Sequence, residues 1–505
     1  MLDAAISALG ILLSPQHFGY LLAGTAVGLI IGILPGLGGM VGLALLMPLT
    51  YGLDPVSGIA MLIGLTSVTT VADTYTSVLM GVPGSAASQA TVMDGYPMAQ
   101  RGEGARALSA SFLASMFGGL IGALVLTVTL PFAVPMVLAL GTPELLMLTF
   151  LALGMVAVLS GQNPYLGMLS AVSGLAIGTI GSAPSSGTFR FTFGTDYLLD
   201  GVTLTSLAMG LFAIPEMIAV LSRGGAIAEE RAEIGRGWLQ GIRDVLSHKL
   251  LVFRHALIGA LIGFLPGLGN SIIDWVNYGI VVKTAKDKSQ FGRGDIRGVI
   301  APESATNAKE GGALIPTLMF GIPGSGSMAL LLAAMVIMGV EPGPTLIVSH
   351  MDLVFVVVWS IAIANIIGTA VAFSLSGPIT KLAFMPFSKV MPILLLLISL
   401  GSFQSSQHMG DLAVLLLFGV VGWVMRRTGI PRAPLLIGFV LSGLIEQYLW
   451  QVMSRYGFEW LQRPGVIVIG TLAVAAVGLS IYSKSRTKPR PETGTGQESV
   501  GGVGR

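Results

Sequence analysis

The residues best able to do chemistry in this chain stand where charges are costly. Asp73, Asp274 and Glu303 lie within or beside long apolar runs of a 505-residue chain that is 53% hydrophobic and only 10% charged. An ionisable side chain in a membrane-spanning segment is a functional candidate by default. Asn270, Ser271 and Asp274 fall within about one helical turn of each other. Glu303 and Asn307 are four residues apart, on one helical face. Asp73 and Asp274 point to cation ligation or proton coupling. Glu303 and Asn307 fit that chemistry or, equally, a helix cap near the cytoplasmic surface.

Each acid sits beside a break in the apolar pattern, and the breaks come in ordered pairs. The first pair is GILPGLGG (Gly32 to Gly39) and GVPGS (Gly81 to Ser85); the second is GFLPGLGN (Gly263 to Asn270) and GIPGS (Gly321 to Ser325). Pro removes a backbone donor and Gly loosens the helix, so neither belongs mid-span as ordinary filler. Irregular backbone at membrane depth survives where it is buried in protein or lines a wet cavity. Corresponding breaks in two parts of a chain are the sequence mark of a transporter's binding site. A half-helix start exposes N–H groups that attract a carboxylate without a buried Lys or Arg. The carbonyls freed at a half-helix end can ligate a cation. Ser85, Ala86, Ser88 and Gln89 open the arm after the first tip, and Ser325, Gly326 and Ser327 open the second. Their hydroxyls serve as caps or as hydrogen-bond partners of substrate oxygens.

The elements that must position these residues are membrane helices. Mean hydropathy is +0.83, and a soluble protein is roughly a quarter charged. Apolar stretches fall at about 19–34, 37–52, 56–72, 107–130, 143–160, 165–182, 203–222, 256–265, 271–282, 328–341, 352–375, 390–401, 411–425, 434–453 and 464–482. A span needs about 20 apolar residues, and the short stretches flank the breaks. The expectation is an all-α polytopic membrane protein with roughly 10 to 12 spans. Two re-entrant hairpins are expected near 74–93 and 312–338, centred on Pro83 and Pro323. The organisation read from the chain is a first half 1–222, a cytoplasmic linker 223–255, a second half 256–483 and a disordered tail 484–505.

Positive charge sets the orientation. Arg101 and Arg106, the linker, the loop 283–297, and Arg426, Arg427 and Arg432 go to the cytoplasm; the loops 183–201 and 454–463 face outward. The loop after the second LPGLG is rich in Lys and Arg, whereas its counterpart near Tyr51 to Ser57 has none. After the hairpins the bias reverses: Arg101 and Arg106 follow the first, and Glu341 to Asp352 carries no Lys or Arg. Opposite signatures at corresponding loops are what an inverted-topology repeat requires.

Other classes find little support. There is no cysteine, which excludes disulfides and thiolate chemistry. The net charge of +2 is uninformative, and no basic face interleaved with aromatics suggests nucleic acid. No P-loop, HExxH or GxSxG occurs, and the five His are scattered. No Lys or Arg precedes Arg101, so the first apolar segment is read as retained. His350, Asp352, Lys381, Lys389, His408 and Asp411 read as snorkelling or capping residues, and Asp94-Gly95-Tyr96-Pro97 as a turn.

The chain resembles the large membrane subunit of the tripartite tricarboxylate transporters, the TctA family. The likeness runs from about Gly19 to Trp450. It is carried by LPGLGG at 34–39, MPLTYGLDPVSGIAML at 47–62, GVPGSAASQATVMDGYPMAQRG at 81–102, APESATNAKEGGALIPTLMFGIPGSG at 301–326 and GVEPGPTL at 339–346. The resemblance implies a bacterial inner-membrane permease and no enzyme. It would import tri- or dicarboxylates such as citrate by Na⁺ or H⁺ symport, through an elevator motion, with no cofactor. Its partners would be a small four-span membrane subunit (TctB-like) and a periplasmic binding protein (TctC-like). Substrate would meet Gly84, Ser85, Ser88, Asn307, Gly324 and Ser325. Cations would lie near Gly36, Gly38, Asp73, Gly267, Gly269, Asn270 and Asp274. Two departures from typical members lie near these positions: the run Ala72 to Ser77, which adds Asp73, and the Lys309-Glu310 pair. The alternatives are a channel-like subunit and an intramembrane enzyme acting on lipid-linked substrates.

Overall fold

The computed structural model describes residues 1–34, 37–159, 163–184, 186–222, 234–266, 270–378 and 387–486. Its helices begin with α1 (Leu2–Leu12), α2 (Pro15–Ile33), α3 (Gly38–Leu46), α4 (Pro55–Ala72), α5 (Thr74–Leu79), α6 (Gln89–Gln100) and α7 (Gly104–Ala139). There follow α8 (Thr142–Leu159), α9 (Pro164–Gly178), α10 (Leu204–Ala208), α11 (Ile214–Ser222), α12 (Trp238–Ser247) and α13 (Lys249–Gly263). Then come α14 (Asn270–Thr284), α15 (Ile296–Phe320), α16 (Gly326–Ile337), α17 (Pro344–Ser349) and α18 (Met351–Ser374). Four more long helices follow among the described residues: Phe387–Ser406, Gly410–Thr428, Ala433–Tyr456 and Pro464–Arg486. The two-residue strands Gly181–Ser182 and Phe189–Arg190 pair antiparallel in the loop after α9.

This is an all-α polytopic membrane protein. Among the described residues, six helices are long and apolar enough to cross a membrane alone, and the bent α12–α13 pair makes up to seven. Seven shorter apolar helices accompany them among the described residues, two of which, Gly38–Thr50 and Gly326–Ile337, flank Pro-Gly segments. The sequence expectation of roughly 10 to 12 spans counted such short pieces as parts of spans.

Glycine sets the tightest packing. On α2, a Cβ at Gly24, Gly28 or Gly32 would lie 1.9, 2.5 or 2.5 Å from the backbone oxygen of Met61, Leu65 or Thr69 on α4. On α13, a Cβ at Gly259 or Gly263 would meet the oxygen of Ala305 or Lys309 on α15 at 2.1 or 2.4 Å. Small residues let helix backbones touch where lipid supplies no hydrophobic drive. These contacts correspond residue for residue. Gly259 and Gly263 stand to Gly28 and Gly32 as the second LPGLG stands to the first, and Ala305 and Lys309 stand to Leu65 and Thr69 as GIPGS stands to GVPGS.

The contacts also give directions. Gly118 and Gly122 of α7 meet Ser304 and Ala308 of α15, so α7 and α15 run the same way. On α18, Asn365 lies against Gly119 and Thr369 bonds Phe112, so α18 opposes α7. Gly368 lies on Val68, and Tyr75 donates to the Ala372 carbonyl at 2.7 Å, so α18 runs with α4. Helices α4 and α15 therefore run oppositely.

Some local expectations change. Asp94 to Pro97 lies inside α6 rather than in a turn. The Asp94 carboxylate is used elsewhere, accepting from the Gly294 and Asp295 N–H groups at 2.8 and 2.9 Å and from Tyr278. Tertiary bonding overrides the local turn preference. Glu303 lies within α15, well past its start, and caps nothing. The segment read as linker 223–255 contains α12, whose Gly241 lies against Arg106 and Ser109 of α7. Residues 487–505, most of the expected tail, lie outside the described residues.

Candidate functional site

After α5, and again after α15, the chain folds back on the helix it has just left. Gly81 and Gly321 start the two returns with positive φ, +66° and +68°, a conformation glycine adopts freely. At the first return, a Cβ on Gly84 would lie 2.5 Å from both the Asp73 Cβ and the Thr76 hydroxyl. At the second, a Cβ on Gly324 would lie 3.4 Å from the Ala313 Cβ. Asp73 and Ala313 are matched positions, each eight residues before its Gly81 or Gly321. The same fold-back thus carries an acid in the first copy and a methyl group in the second.

The two tips meet in one cavity of about 560 Å³, within the usual range of a small-molecule site. Val82 to Ala86 line it from the first tip and Gly324 to Ser327 from the second; Gly38 and Gly39 also line it, with Thr66, Thr69 and Thr70 from α4 and Asp73 just after that helix. Glu310, Glu216, Arg426 and Arg432 supply further charged lining. Gly38 has φ +58°, and a Cβ there would lie 3.6 Å from the Ser85 Cβ. A larger cavity of about 980 Å³ beside α9 and the helix Gly410–Thr428 contains no tip residue and is mostly apolar.

Ser85 ties the first tip together. Its hydroxyl donates to the Asp73 carboxylate and accepts from the Ala87 N–H at 3.0 Å. Ser325 caps α16 by accepting from the Met328 N–H at 3.3 Å. Both serines line the cavity, but only Ser325 caps a helix; the Ser85 hydroxyl instead joins the tip backbone to Asp73. Ser88 bonds the Ser85 backbone and lies outside the cavity lining.

Other candidates lie deeper. Asp274 is fully buried on α14 and accepts from the Ala90 N–H at 2.5 Å; its other oxygen has no partner. Glu303 receives Thr91 at 2.7 Å and Thr74 at 3.3 Å. These two acids therefore hold the arms of the first tip: Asp274 through Ala90 and Glu303 through Thr91 at the start of α6, and Glu303 through Thr74 at the start of α5. Asn307 joins α15 to α7 and α18, donating to Ser115 and to Asn365 at 2.6 Å. Neither Asp274, Glu303 nor Asn307 lines the cavity. Gly36, Gly267, Gly269 and the side chain of Asn270 lie outside the described residues.

Reading the sequence missed the arginine wall. Arg432 donates to Glu216 at 2.7 Å, Arg426 pairs with the other Glu216 oxygen, and the Arg432 guanidinium stands 5.3 Å from the Phe212 ring. Two guanidinium groups on one carboxylate leave this clamp itself with one positive charge in excess, while Asp73 and Glu310 bring carboxyl groups to the rest of the lining. The α4 threonines were missed too, because threonine in an apolar helix ordinarily bonds its own backbone. Thr69 does so, donating to the Leu65 carbonyl at 2.6 Å.

The site is thus a polar cavity inside a helical membrane bundle, lined by two Pro-Gly tips, by Gly38 and by an arginine-clamped acid. Comparison with known proteins gives the family. The chain belongs to the tripartite tricarboxylate transporter TctA family, which matches residues 18–437. It is thus a multi-pass component of a tricarboxylate transporter that works with partner subunits. It is similar to an uncharacterized 52.8 kDa protein in the TAR-I ttuC' 3' region of Agrobacterium vitis, 30% identical over 93% of this chain and 92% of that protein. It is also similar to an uncharacterized protein in the TAR-II ttuC' 3' region of the same organism, 34% identical over 44% of this chain and 90% of that protein. No solved structure matches.

Proposed function

We propose that this chain is the permease of a binding-protein-dependent secondary transporter in a bacterial inner membrane. It imports di- or tricarboxylates such as citrate by cation-coupled symport. The observation that carries the reading is the convergence of both tips and two arginines on one cavity. Tip backbone and hydroxyl groups supply donors for carboxylate oxygens, and Arg426 and Arg432 offset a second or third negative charge. Asp73, bonded to Ser85 at the first tip, is the group through which a bound Na⁺ or proton acts on the substrate site. A TctB-like membrane subunit and a TctC-like periplasmic protein complete the system.

The opposed directions of α4 and α15, with matched glycine contacts on each, support an inverted repeat and an elevator-type exchange of two related states. The cationic residues Arg101 and Arg106 reach the segments 293–294 and 244 respectively, in keeping with one cytoplasmic face. The test is uptake of radiolabelled carboxylates into proteoliposomes holding all three proteins, with imposed Na⁺ or proton gradients. Saturable uptake that needs the binding protein and collapses without one gradient supports symport and names the ion. Flux indifferent to both gradients and to the binding protein supports a channel instead.

A further inference from the structure

Thr70 and Glu310 occupy matched positions in the two copies, each eleven residues before its Gly81 or Gly321. Both line the cavity between the tips. Both are at least nine-tenths buried, 9% and 8% exposed, and in each a side-chain oxygen, Thr70 Oγ1 and Glu310 Oε2, has no hydrogen-bond partner. Buried polar atoms are almost always bonded, so such atoms in a cavity wall mark what the occupant supplies.

The two oxygens ask for different things. A threonine hydroxyl can donate, whereas an ionised carboxylate only accepts. The Glu310 charge is already answered, because Lys309 Nζ lies 2.9 Å from its Oε1 and is almost fully buried with it. Oε2 therefore lacks a donor rather than a counter-charge. A substrate that is carboxylate alone brings only acceptors and would set negative oxygen against Oε2. A substrate ammonium would be repelled by Lys309. A neutral hydroxyl fits both constraints.

We propose that Glu310 determines specificity by reading a hydroxyl, so that the cavity selects hydroxylated carboxylates. The substrate hydroxyl donates to Glu310 Oε2, and Thr70 Oγ1 donates to a substrate carboxylate oxygen. This rests on the carboxylate reading above. A site built to bond a substrate hydroxyl rejects the analogue that lacks it by large factors.

The test is competitive binding to the purified full-length chain in nanodiscs, without the binding protein, which would add its own preference. The probes are matched acids: malate with succinate, citrate with tricarballylate, then aspartate and oxaloacetate. Each hydroxylated acid should bind at least about 10-fold tighter than its deoxy partner, and aspartate no better than succinate. Glu310→Gln places an N–H donor where Oε2 stood, so the malate preference should vanish and oxaloacetate should gain on malate. The double variant Lys309→Met with Glu310→Gln, which leaves no unpaired ammonium, should show the same switch if the single variant folds poorly. Thr70→Val should weaken all the acids alike and keep the hydroxyl preference. Equal binding of hydroxylated and deoxy acids by the unaltered chain, or a preference for aspartate over malate, overturns this assignment and leaves the carboxylate reading standing. Absence of binding by every acid, with no carboxylate uptake by the complete system, overturns both.

Discussion

Gly84 lies so close to Asp73 that a Cβ on the glycine would stand 2.5 Å from the aspartate Cβ and 2.6 Å from its carbonyl oxygen. The acid and the tip therefore form one unit, closed by the Ser85 hydroxyl on the Asp73 carboxylate. Gly324 faces Ala313 in the matched place with ordinary clearance, 3.4 Å.

That difference gives an asymmetric prediction. Gly84→Ala must push the first tip off Asp73, and overpacking of this kind costs about 1–3 kcal/mol. Carboxylate uptake should fall by at least about tenfold, the equivalent of 1.4 kcal/mol. Gly324→Ala should keep most of the activity. Uptake by the two variants, normalised to membrane content, checks this; equal losses would mean that the tips are equally crowded.

The glycine seams predict stability. Gly28→Leu and Gly259→Leu each force a side chain into a facing backbone oxygen, at 2.5 and 2.1 Å for the Cβ alone. Both should lower the thermal midpoint of the purified protein by several degrees, as a cost of about 1–3 kcal/mol implies. Gly279→Leu, where no atom lies within 4 Å, should leave the midpoint in place. Similar midpoints for all three would remove the close-packing account of α2–α4 and α13–α15.

Asp73 predicts coupling. Asp73→Asn keeps an acceptor for Ser85 but removes the charge, so uphill uptake driven by a cation gradient should be lost while downhill exchange of preloaded substrate continues. Parallel assays of gradient-driven uptake and exchange separate the two. Full gradient-driven uptake by the variant would move coupling away from this residue.

Much of this architecture was legible in the sequence because Pro and Gly act through the backbone. The paired LPGLG and GxPGS segments mark the tips without any knowledge of packing, and Asp73 announces itself as an acid in apolar surroundings. What tertiary contact decides was not legible. Arg426 and Arg432 look like orientation charges, yet they converge on Glu216, more than 200 positions away in sequence. Asn307 looks like a tip residue by proximity in sequence, but its helical face turns to Ser115 and Asn365. Asp94 carries every local sign of a turn and instead bonds the start of α15.

The central claim is that both tips wall one substrate site, and the absence of cysteine from the chain makes it directly measurable. Ala86→Cys and Ser327→Cys each place one thiol in the cavity lining, one from each tip. The account predicts that a hydrophilic thiol reagent labels both, and that one carboxylate substrate protects both with the same half-maximal concentration. Protection of one thiol alone, or of neither, would contradict a shared site.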